Sequence, residues 1–454
     1  MARERLASRL GFLLLSAGCA IGLGNVWRFP WITGQYGGAW FVLIYLFFLL
    51  ALGLPVMIME FSMGRASRRN IGRAFHVLTP EKKGWHKFGL LGIVGSYMLM
   101  VMYIPVAGWM VAYCWYMASG QLNLPPAEVQ AFFGNMLSQP GSMTFWSILT
   151  LVFSLAVCWF GVRGGLEKVS KVIMTGLLLI MVVLAVRAVT LDGAAEGLAF
   201  YLAPDFERLK SAGILNAVSA AMNQAFFTLS LGNGAMLIFG SYFNNERNLT
   251  GESLCIVGLD TFVALTAGLI IFPACFAYGV QPDSGPGLVL ITLPNIFNQM
   301  PMGAMWGALF FVFMSCAAVT TVIAVMENIV SYSMDVSGWQ RKSSIIVHGI
   351  IMSILIMPCI LGFNVWSFIT PLGAGSSIMD LEDFIISTNI LPLGSLCMLI
   401  YCTSRYGWGW KNFVTETDKG DGPKFPKWAR FYLTWILPVV ILVLFINGYI
   451  DKFF

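Results

Sequence analysis

Two glycine-rich stretches of the chain decide its fold. The first reads Gly18-Cys19-Ala20-Ile21-Gly22-Leu23-Gly24-Asn25, and the second reads Phe226-Phe227-Thr228-Leu229-Ser230-Leu231-Gly232-Asn233-Gly234. Each lies in the middle of an apolar segment long enough to cross a bilayer. Because a glycine costs a helix interior about 1 kcal/mol relative to alanine, both helices are expected to unwind there. Small residues also allow close helix packing, and one such stretch alone would favour packing.

The composition predicts an all-α integral membrane protein. Of 454 residues, 58% are hydrophobic and 11% are charged, against roughly 25% charged in a soluble domain. A spanning helix needs about 20 mostly apolar residues. About eleven such segments occur, near 11–32, 39–63, 88–119, 142–161, 167–190, 213–240, 253–279, 303–332, 344–362, 377–402 and 430–449.

The distribution of positive charge predicts the orientation. With the N-terminus in the cytoplasm, 22 of the 27 Lys and Arg residues fall in inside segments and four fall outside. Cytoplasmic loops are enriched in these residues. The net charge of +5 is therefore a topology signal and does not indicate a nucleic-acid partner. We expect a multi-pass protein of the cell (inner) membrane that contacts the lipid bilayer, with no prediction of its oligomeric state.

The triplet Leu-Gly-Asn occurs at 23–25 and again at 231–233, in spans 1 and 6. Five spans separate the copies, so they run in opposite directions through the bilayer. Paired broken helices of this kind mark the substrate site of transporters with inverted repeats. The predicted division is a cytoplasmic segment 1–10, a first repeat 11–190, a second repeat 211–404 and a final helix 430–450.

Broken helices suit a particular kind of ligand. The N-terminus of a half-helix offers unpaired N–H groups to a carboxylate. Freed carbonyl oxygens and the C-terminus of a half-helix suit a hard cation such as Na⁺. A zwitterion and a sodium ion fit this pair.

These stretches resemble the neurotransmitter:sodium symporter family, which has the LeuT fold. The matching residues run in order through spans 1–10 and include Gly22 to Pro30, Gly37 to Phe41, Gly53 to Pro55 and Phe226 to Gly234. The eleven-span count is similar to the bacterial amino-acid transporter branch. The resemblance implies a symporter, not an enzyme, that couples inward Na⁺ movement to uptake of a neutral amino acid by alternating access, without an organic cofactor.

The resemblance also implies two sodium sites. The first would use Ala20, Asn25, Thr228 and Asp260, together with the substrate carboxylate. The second would use Gly18, Ile21, Ala317, Thr320 and Thr321. Without the resemblance, the pair Thr320-Thr321 would more often bond back to a carbonyl of its own helix.

The implied substrate site lies between helices 1, 3, 6 and 8. It would comprise Ala20, Gly22, Gly24, Tyr103, Phe227, Ser230, Asn233, Thr321 and Val325. Family members that carry monoamines hold an Asp at the position of Gly22, so Gly22 favours an amino acid. Tyr103 could equally be a packing aromatic, and Asn233 could contact a polar substrate group or bond the broken backbone.

Two gates follow from the same resemblance. Arg28 would close the outer path with Glu382 or Asp383, and the sequence does not distinguish these two acids. Arg3, Asp335 and Tyr242 would form the cytoplasmic gate. Arg3 could instead be an ordinary cytoplasmic positive charge.

Three positions depart from the family pattern. Asp260 stands where Asn is common, and Ala264 stands where a Glu or Ser is found. We expect Asp260 to supply the negative charge near sodium, so that transport needs no chloride. Gly165 is not followed by the proline that accompanies opening of helix 5 in many relatives, which makes such an opening doubtful.

Other classes of membrane protein fit less well. The Asp260 segment lacks the setting of an intramembrane aspartyl protease, and neither a dinucleotide fingerprint nor a channel filter is present. A proton-coupled amino-acid carrier of the same fold is the alternative that remains open.

Overall fold

The computed structural model describes residues 4–280 and 287–453, and this part of the chain consists of helices joined by short connections. The helices that cross the membrane, named in chain order, are α1a (Arg9–Ala20), α1b (Gly24–Gln35), α2 (Ala39–Ser67), α3 (Gly84–Ala118), α4 (Pro140–Trp159), α5 (Val162–Val189), α6a (Ile214–Thr228), α6b (Ala235–Tyr242), α7 (Leu249–Ala277), α8 (Gly303–Ser337), α9 (Arg341–Leu361), α10 (Ile378–Thr403) and α11 (Ala429–Ile450).

These helices match the eleven predicted spans in order. Within the described residues, nine helices are long and apolar enough to cross a membrane unaided, and the bent pair α1a and α1b makes a tenth span. The eleventh is α6, whose two halves are too short to cross a bilayer separately. The predicted breaks in helices 1 and 6 are confirmed.

The break in helix 1 is a sharp bend between two helical halves. The α1a helix ends at Ile21, whose backbone is extended with φ −73° and ψ 90°. The axis of α1b is turned by 53° from that of α1a. A Cβ atom at Gly22 would lie 2.6 Å from the Tyr103 hydroxyl oxygen. Glycine is therefore required here because α3 and α8 pack directly against the broken backbone.

The break in helix 6 depends on left-handed backbone. Gly232 and Gly234 have φ values of 86° and 80°, which side chains other than glycine rarely adopt. Ser230 also has a positive φ, of 50°. Gly394 of α10 lies so close that a Cβ there would be 2.1 Å from the Gly232 carbonyl oxygen. Helix 6 is thus interrupted at the point where α10 packs against its backbone.

Small residues also let the inner half of helix 6 pack tightly. Gly64 of α2 faces the Leu237 carbonyl oxygen of α6b, and Gly240 of α6b faces the Phe61 carbonyl oxygen of α2. A Cβ atom at either glycine would lie within 2.4 Å of the facing oxygen. Close approach of backbones is the usual way in which membrane helices associate.

The outer faces of α4, α5 and α11 are apolar. Large exposed side chains on them include Val152, Val172, Leu179, Val439 and Val443. Continuous apolar surface of this extent marks contact with lipid. The protein is a multi-pass membrane protein whose polar groups converge in its centre.

Candidate substrate and ion site

The bend of helix 1 brings its backbone into contact with Tyr103 of α3. The Leu23 N–H donates a hydrogen bond to the Tyr103 hydroxyl over 2.9 Å. The Gly22 N–H donates to the Asn25 side-chain oxygen over 3.1 Å. Two N–H groups released by the bend therefore point to polar side chains in the interior, as the sequence predicts.

A small chamber lies beside this bend. Its lining combines residues of helices 1, 3, 6, 8 and 10: Cys19, Ala20, Gly22, Gly24, Leu99, Tyr103, Phe227, Ser230, Thr321 and Leu391. Seven of the nine predicted substrate residues are among them. No charged side chain of the described part of the chain lines this chamber.

The chamber is nearly closed in this conformation. Its free volume is about 10 Å³, close to the minimum that holds one water molecule. The side chains of Leu99, Phe227 and Leu391 line it from three different helices. An amino acid can therefore occupy it only when these side chains move apart.

The two predicted substrate residues outside the chamber are Asn233 and Val325. Asn233 uses its side-chain oxygen to accept the Ala235 N–H over 2.9 Å, at the start of α6b. The sequence allowed Asn233 either to contact a polar substrate group or to bond the broken backbone. This bond corresponds to the second interpretation. Val325 is fully buried in α8. Their predicted contact with substrate stays a prediction.

Polar side chains of three helices surround Asp260 of α7. The Asn25 amide donates to Asp260 Oδ1 over 2.8 Å, and the Thr228 hydroxyl lies 3.2 Å from Oδ2. The Tyr45 hydroxyl of α2 lies 3.5 Å from the same Oδ2 atom. Asp260 is fully buried, and no basic side chain of the described residues lies within 4 Å of it. A buried carboxylate in this setting requires a cation or a proton.

Tyr45 is a member of this cluster that the sequence did not reveal. It lies in an uninterrupted apolar run of α2, where an aromatic residue ordinarily indicates packing. The sequence signal for this contact would have been the helical spacing that turns Tyr45 toward the interior of the protein.

Several residues of the predicted second ion site lie close together, and the site itself stays a prediction. The Thr321 hydroxyl lies 3.4 Å from the Gly18 carbonyl oxygen and 3.3 Å from the Ala317 carbonyl oxygen. The Thr320 hydroxyl lies 3.0 Å from the same Ala317 oxygen. The bond to Gly18 connects α8 to α1a, the two bonds to Ala317 lie within α8, and Ile21 follows α1a directly. Carbonyl, hydroxyl and carboxylate oxygens are the ligands that a hard cation prefers, so both sets of residues fit Na⁺.

The first turn of α1b is connected to α10 through a serine. The Arg28 guanidinium lies 3.4 Å from the Ser387 hydroxyl, which donates to Asp383 Oδ1 over 2.7 Å. The same guanidinium lies 4.5 Å above the ring of Phe227. Glu382 is buried and faces Cys359 instead. Asp383 is therefore the acid that connects to Arg28. The sequence signal for this connection was the position of Ser387, four residues after Asp383 on the same helix.

Two of the three residues of the predicted inner gate, Asp335 and Tyr242, lie within the described part of the chain. Asp335 accepts bonds from the Arg69 guanidinium over 3.3 Å and from the Asn70 N–H over 2.7 Å. The Tyr242 hydroxyl donates to Glu327 Oε1 over 2.5 Å. Arg3 lies outside the described residues.

A second group of contacts fastens the N-terminal segment to α5 and α9. Glu167 of α5 accepts the Ala7 N–H over 2.7 Å and the Ser8 hydroxyl over 2.8 Å. Glu4 accepts the Val162 N–H over 2.8 Å and lies 3.7 Å from Arg341. These residues were missed because their pairing depends on the tertiary arrangement. The first turn of α5 is wider than an α-helix over Val162–Glu167.

Two discontinuous helices beside an uncharged chamber are typical of a secondary transporter. The comparisons with known proteins agree. Residues 3–135 and 127–452 match the model of the sodium:neurotransmitter symporter family. The chain therefore belongs to this family, and it is a sodium-dependent symporter.

Individual relatives cover nearly the whole chain. The chain is 32% identical over 444 residues to the uncharacterized sodium-dependent transporter YhdH of Bacillus subtilis, across 97% of this chain and 96% of that protein. It is 30% identical over 464 residues to an uncharacterized sodium-dependent transporter of Haemophilus influenzae, across 98% of each. The crystal structure of MhsT in complex with L-phenylalanine superposes with a TM-score of 0.88 at 37% identity, across 98% of this chain and 100% of that one.

Proposed function

We propose that this symporter carries a neutral amino acid into the cell together with two sodium ions and without chloride. The observation that carries the proposal is the position of Gly22. Its missing side chain leaves the broken backbone of helix 1 directly beside Tyr103 and Thr321. A carboxylate held there would meet the positive end of α1b and the Tyr103 hydroxyl.

An amino acid fits the remaining features of the chamber. The N–H groups of Gly232 and Ala235 donate to Glu60 and Asn233, and these bonds support the broken backbone of helix 6. Because the chamber lining is uncharged, a charged substrate side chain would lose its hydration without a partner. A neutral side chain is favoured for this reason. The L-phenylalanine bound to MhsT supports the same class of substrate.

Asp260 supports independence from chloride. Its buried carboxylate lies among Asn25 and Thr228, the residues assigned to the first sodium ion. A fixed negative charge at this position makes a bound anion unnecessary for neutralising Na⁺.

Two ions provide enough free energy for concentrative uptake. One cation that crosses a potential of 100 mV releases about 2.3 kcal/mol, and a tenfold gradient adds about 1.4 kcal/mol. Two ions could therefore support accumulation of roughly 10⁵-fold. The orientation proposed from the loop charges, with a cytoplasmic N-terminus in the inner membrane, directs this transport inward.

The test is uptake by the purified full chain in proteoliposomes, across a panel of labelled amino acids, with an imposed Na⁺ gradient. Neutral amino acids are expected to accumulate in sodium gluconate as well as in sodium chloride. Replacing Na⁺ by choline should abolish uptake. Accumulation driven by a proton gradient in choline would instead support the proton-coupled carrier.

A further inference from the structure

A basic cleft lies away from the substrate site, between the end of α10 and the start of α11. We call it the α10–α11 cleft. Its volume is about 830 Å³, and it is lined by Ile400, Thr403, Ser404, Arg405, Tyr406, Lys427, Trp428, Arg430, Phe431, Thr434 and Trp435. Under the orientation proposed above, it opens at the cytoplasmic surface of the membrane.

The charge of this cleft is entirely positive. Arg405, Lys427 and Arg430 line it, and no acidic residue does. None of the three cations forms an ion pair within 4 Å in the described part of the chain. Three cations gathered without a neutralising carboxylate fit an anion.

The loop that carries Arg405 is held in place by residues near the start of α3. The Lys82 ammonium donates to the Arg405 carbonyl oxygen over 3.1 Å and to the Gly407 carbonyl oxygen over 2.7 Å. The Trp85 indole donates to the Tyr406 carbonyl oxygen over 2.7 Å. The cleft is therefore preformed on its α10 side.

The other wall of the cleft is apolar and open. Trp428, Phe431 and Trp435 expose 77%, 67% and 68% of their surface. Phe431 and Trp435 belong to α11, whose outer face continues with the apolar Val439 and Val443. Aromatic residues concentrate where a protein meets the boundary between lipid headgroups and acyl chains. Within this cleft, the Thr434 hydroxyl is buried and has no hydrogen-bond partner among the residues that the structure describes.

We propose that the α10–α11 cleft binds one anionic phospholipid from the cytoplasmic leaflet. The phosphate group contacts Arg405, Lys427 and Arg430, and the Thr434 hydroxyl donates to a headgroup oxygen. The acyl chains lie along Phe431 and Trp435. Basic pockets between membrane helices on the cytoplasmic side are suited to lipid headgroups, and the apolar wall distinguishes a lipid from a soluble anion.

The test measures lipid binding to the purified full chain by native mass spectrometry, with titration of phosphatidylglycerol or phosphatidylcholine. The first phosphatidylglycerol is expected to bind at least about tenfold more tightly than the first phosphatidylcholine. The reason is that each cation near the headgroup raises the affinity about a few-fold. The triple variant Arg405→Gln, Lys427→Gln, Arg430→Gln should lose this preference. Inorganic phosphate in large excess should not displace the lipid.

A matched control removes three exposed cations from elsewhere on the same side: Lys87→Gln, Lys168→Gln and Lys411→Gln. It should keep the preference, and both variants should keep sodium-dependent uptake. Equal loss in the two variants, no preference in the unmodified chain, or displacement by phosphate would overturn the proposal. If the triple variant does not fold, Lys427→Gln and Arg430→Gln are tested singly, and each should weaken phosphatidylglycerol binding about threefold.

Discussion

The Asn25 amide of helix 1 donates a hydrogen bond over 2.8 Å to the carboxylate of Asp260 in α7. Both residues are fully buried. This bond connects the broken helix, which contacts the chamber, to a helix that does not line it. Sodium bound between them would hold both in place, so substrate and ion affinities are expected to depend on each other.

Replacing Asp260 by Asn keeps the size of the side chain and removes its charge. Because the carboxylate is expected to neutralise the first sodium ion, the variant should need at least about tenfold more Na⁺ for half-maximal uptake. Chloride should then stimulate its uptake, while the unmodified protein shows no response. Measurements of uptake against Na⁺ concentration, in chloride and in gluconate, check this. An unchanged sodium requirement would refute the assignment.

Replacing Gly22 by Ala should abolish substrate binding. The added Cβ would lie 2.6 Å from the Tyr103 hydroxyl oxygen and 2.7 Å from the Thr321 hydroxyl oxygen, so it would displace two groups assigned to the site. Gly176→Ala in α5 is the control, since nothing lies within 4 Å of its Cβ position. Equilibrium binding of labelled substrate should be lost in the first variant and retained in the second.

Replacing Tyr103 by Phe removes only a hydroxyl group. Loss of a hydrogen bond to a charged group costs about 1.5–3 kcal/mol, so the substrate Kd should rise about 10- to 100-fold. Tyr113→Phe is a matched control on the same helix, because the Tyr113 hydroxyl has no hydrogen-bond partner among the described residues. Equal Kd values for the two variants would show that Tyr103 serves in packing alone.

Replacing Asp383 by Asn, or Ser387 by Ala, should weaken the contact between helix 1 and α10 that is expected to close the outer path. Ser387→Ala removes the hydroxyl that connects Arg28 to α10, and Asp383→Asn removes the negative charge that this hydroxyl faces. Loss of about 1 kcal/mol should speed dissociation of bound labelled substrate about fivefold. Glu382→Gln changes the neighbouring residue in the same way and should leave the dissociation rate as it is. A faster rate in Glu382→Gln alone would identify Glu382 as the gate residue instead.

Replacing Glu416 by Gln should lower thermal stability without altering substrate affinity. Glu416 Oε1 accepts a bond over 2.8 Å from Arg65, whose side chain is fully buried. Removing the charge that faces a buried guanidinium costs about 3 kcal/mol. Asp205→Asn, which affects the exposed Asp205–Arg208 pair, should change stability by less than about 1 kcal/mol. Thermal unfolding in detergent compares the two, and equal stability losses would contradict the expectation.

Local chemistry allowed much of this architecture to be predicted. Hydropathy located all eleven spans, and the glycines near Gly22 and Gly232 located both breaks, because apolar length and helix propensity are properties of short segments. Seven of the nine predicted substrate residues line the chamber. The roles assigned to them came from the family resemblance and stay predictions.

The amino-acid sequence by itself determined the number of spans and the two places where helical backbone ends, and the loop charges predict the orientation. Only the tertiary structure decided that Asp383 rather than Glu382 connects to Arg28, that Tyr45 joins Asp260, and that Glu167 holds the N-terminal segment. In a membrane, helices are apolar on nearly every face, so hydropathy does not specify how each is rotated about its axis. That rotation, set by packing between distant segments, selects which polar side chains meet.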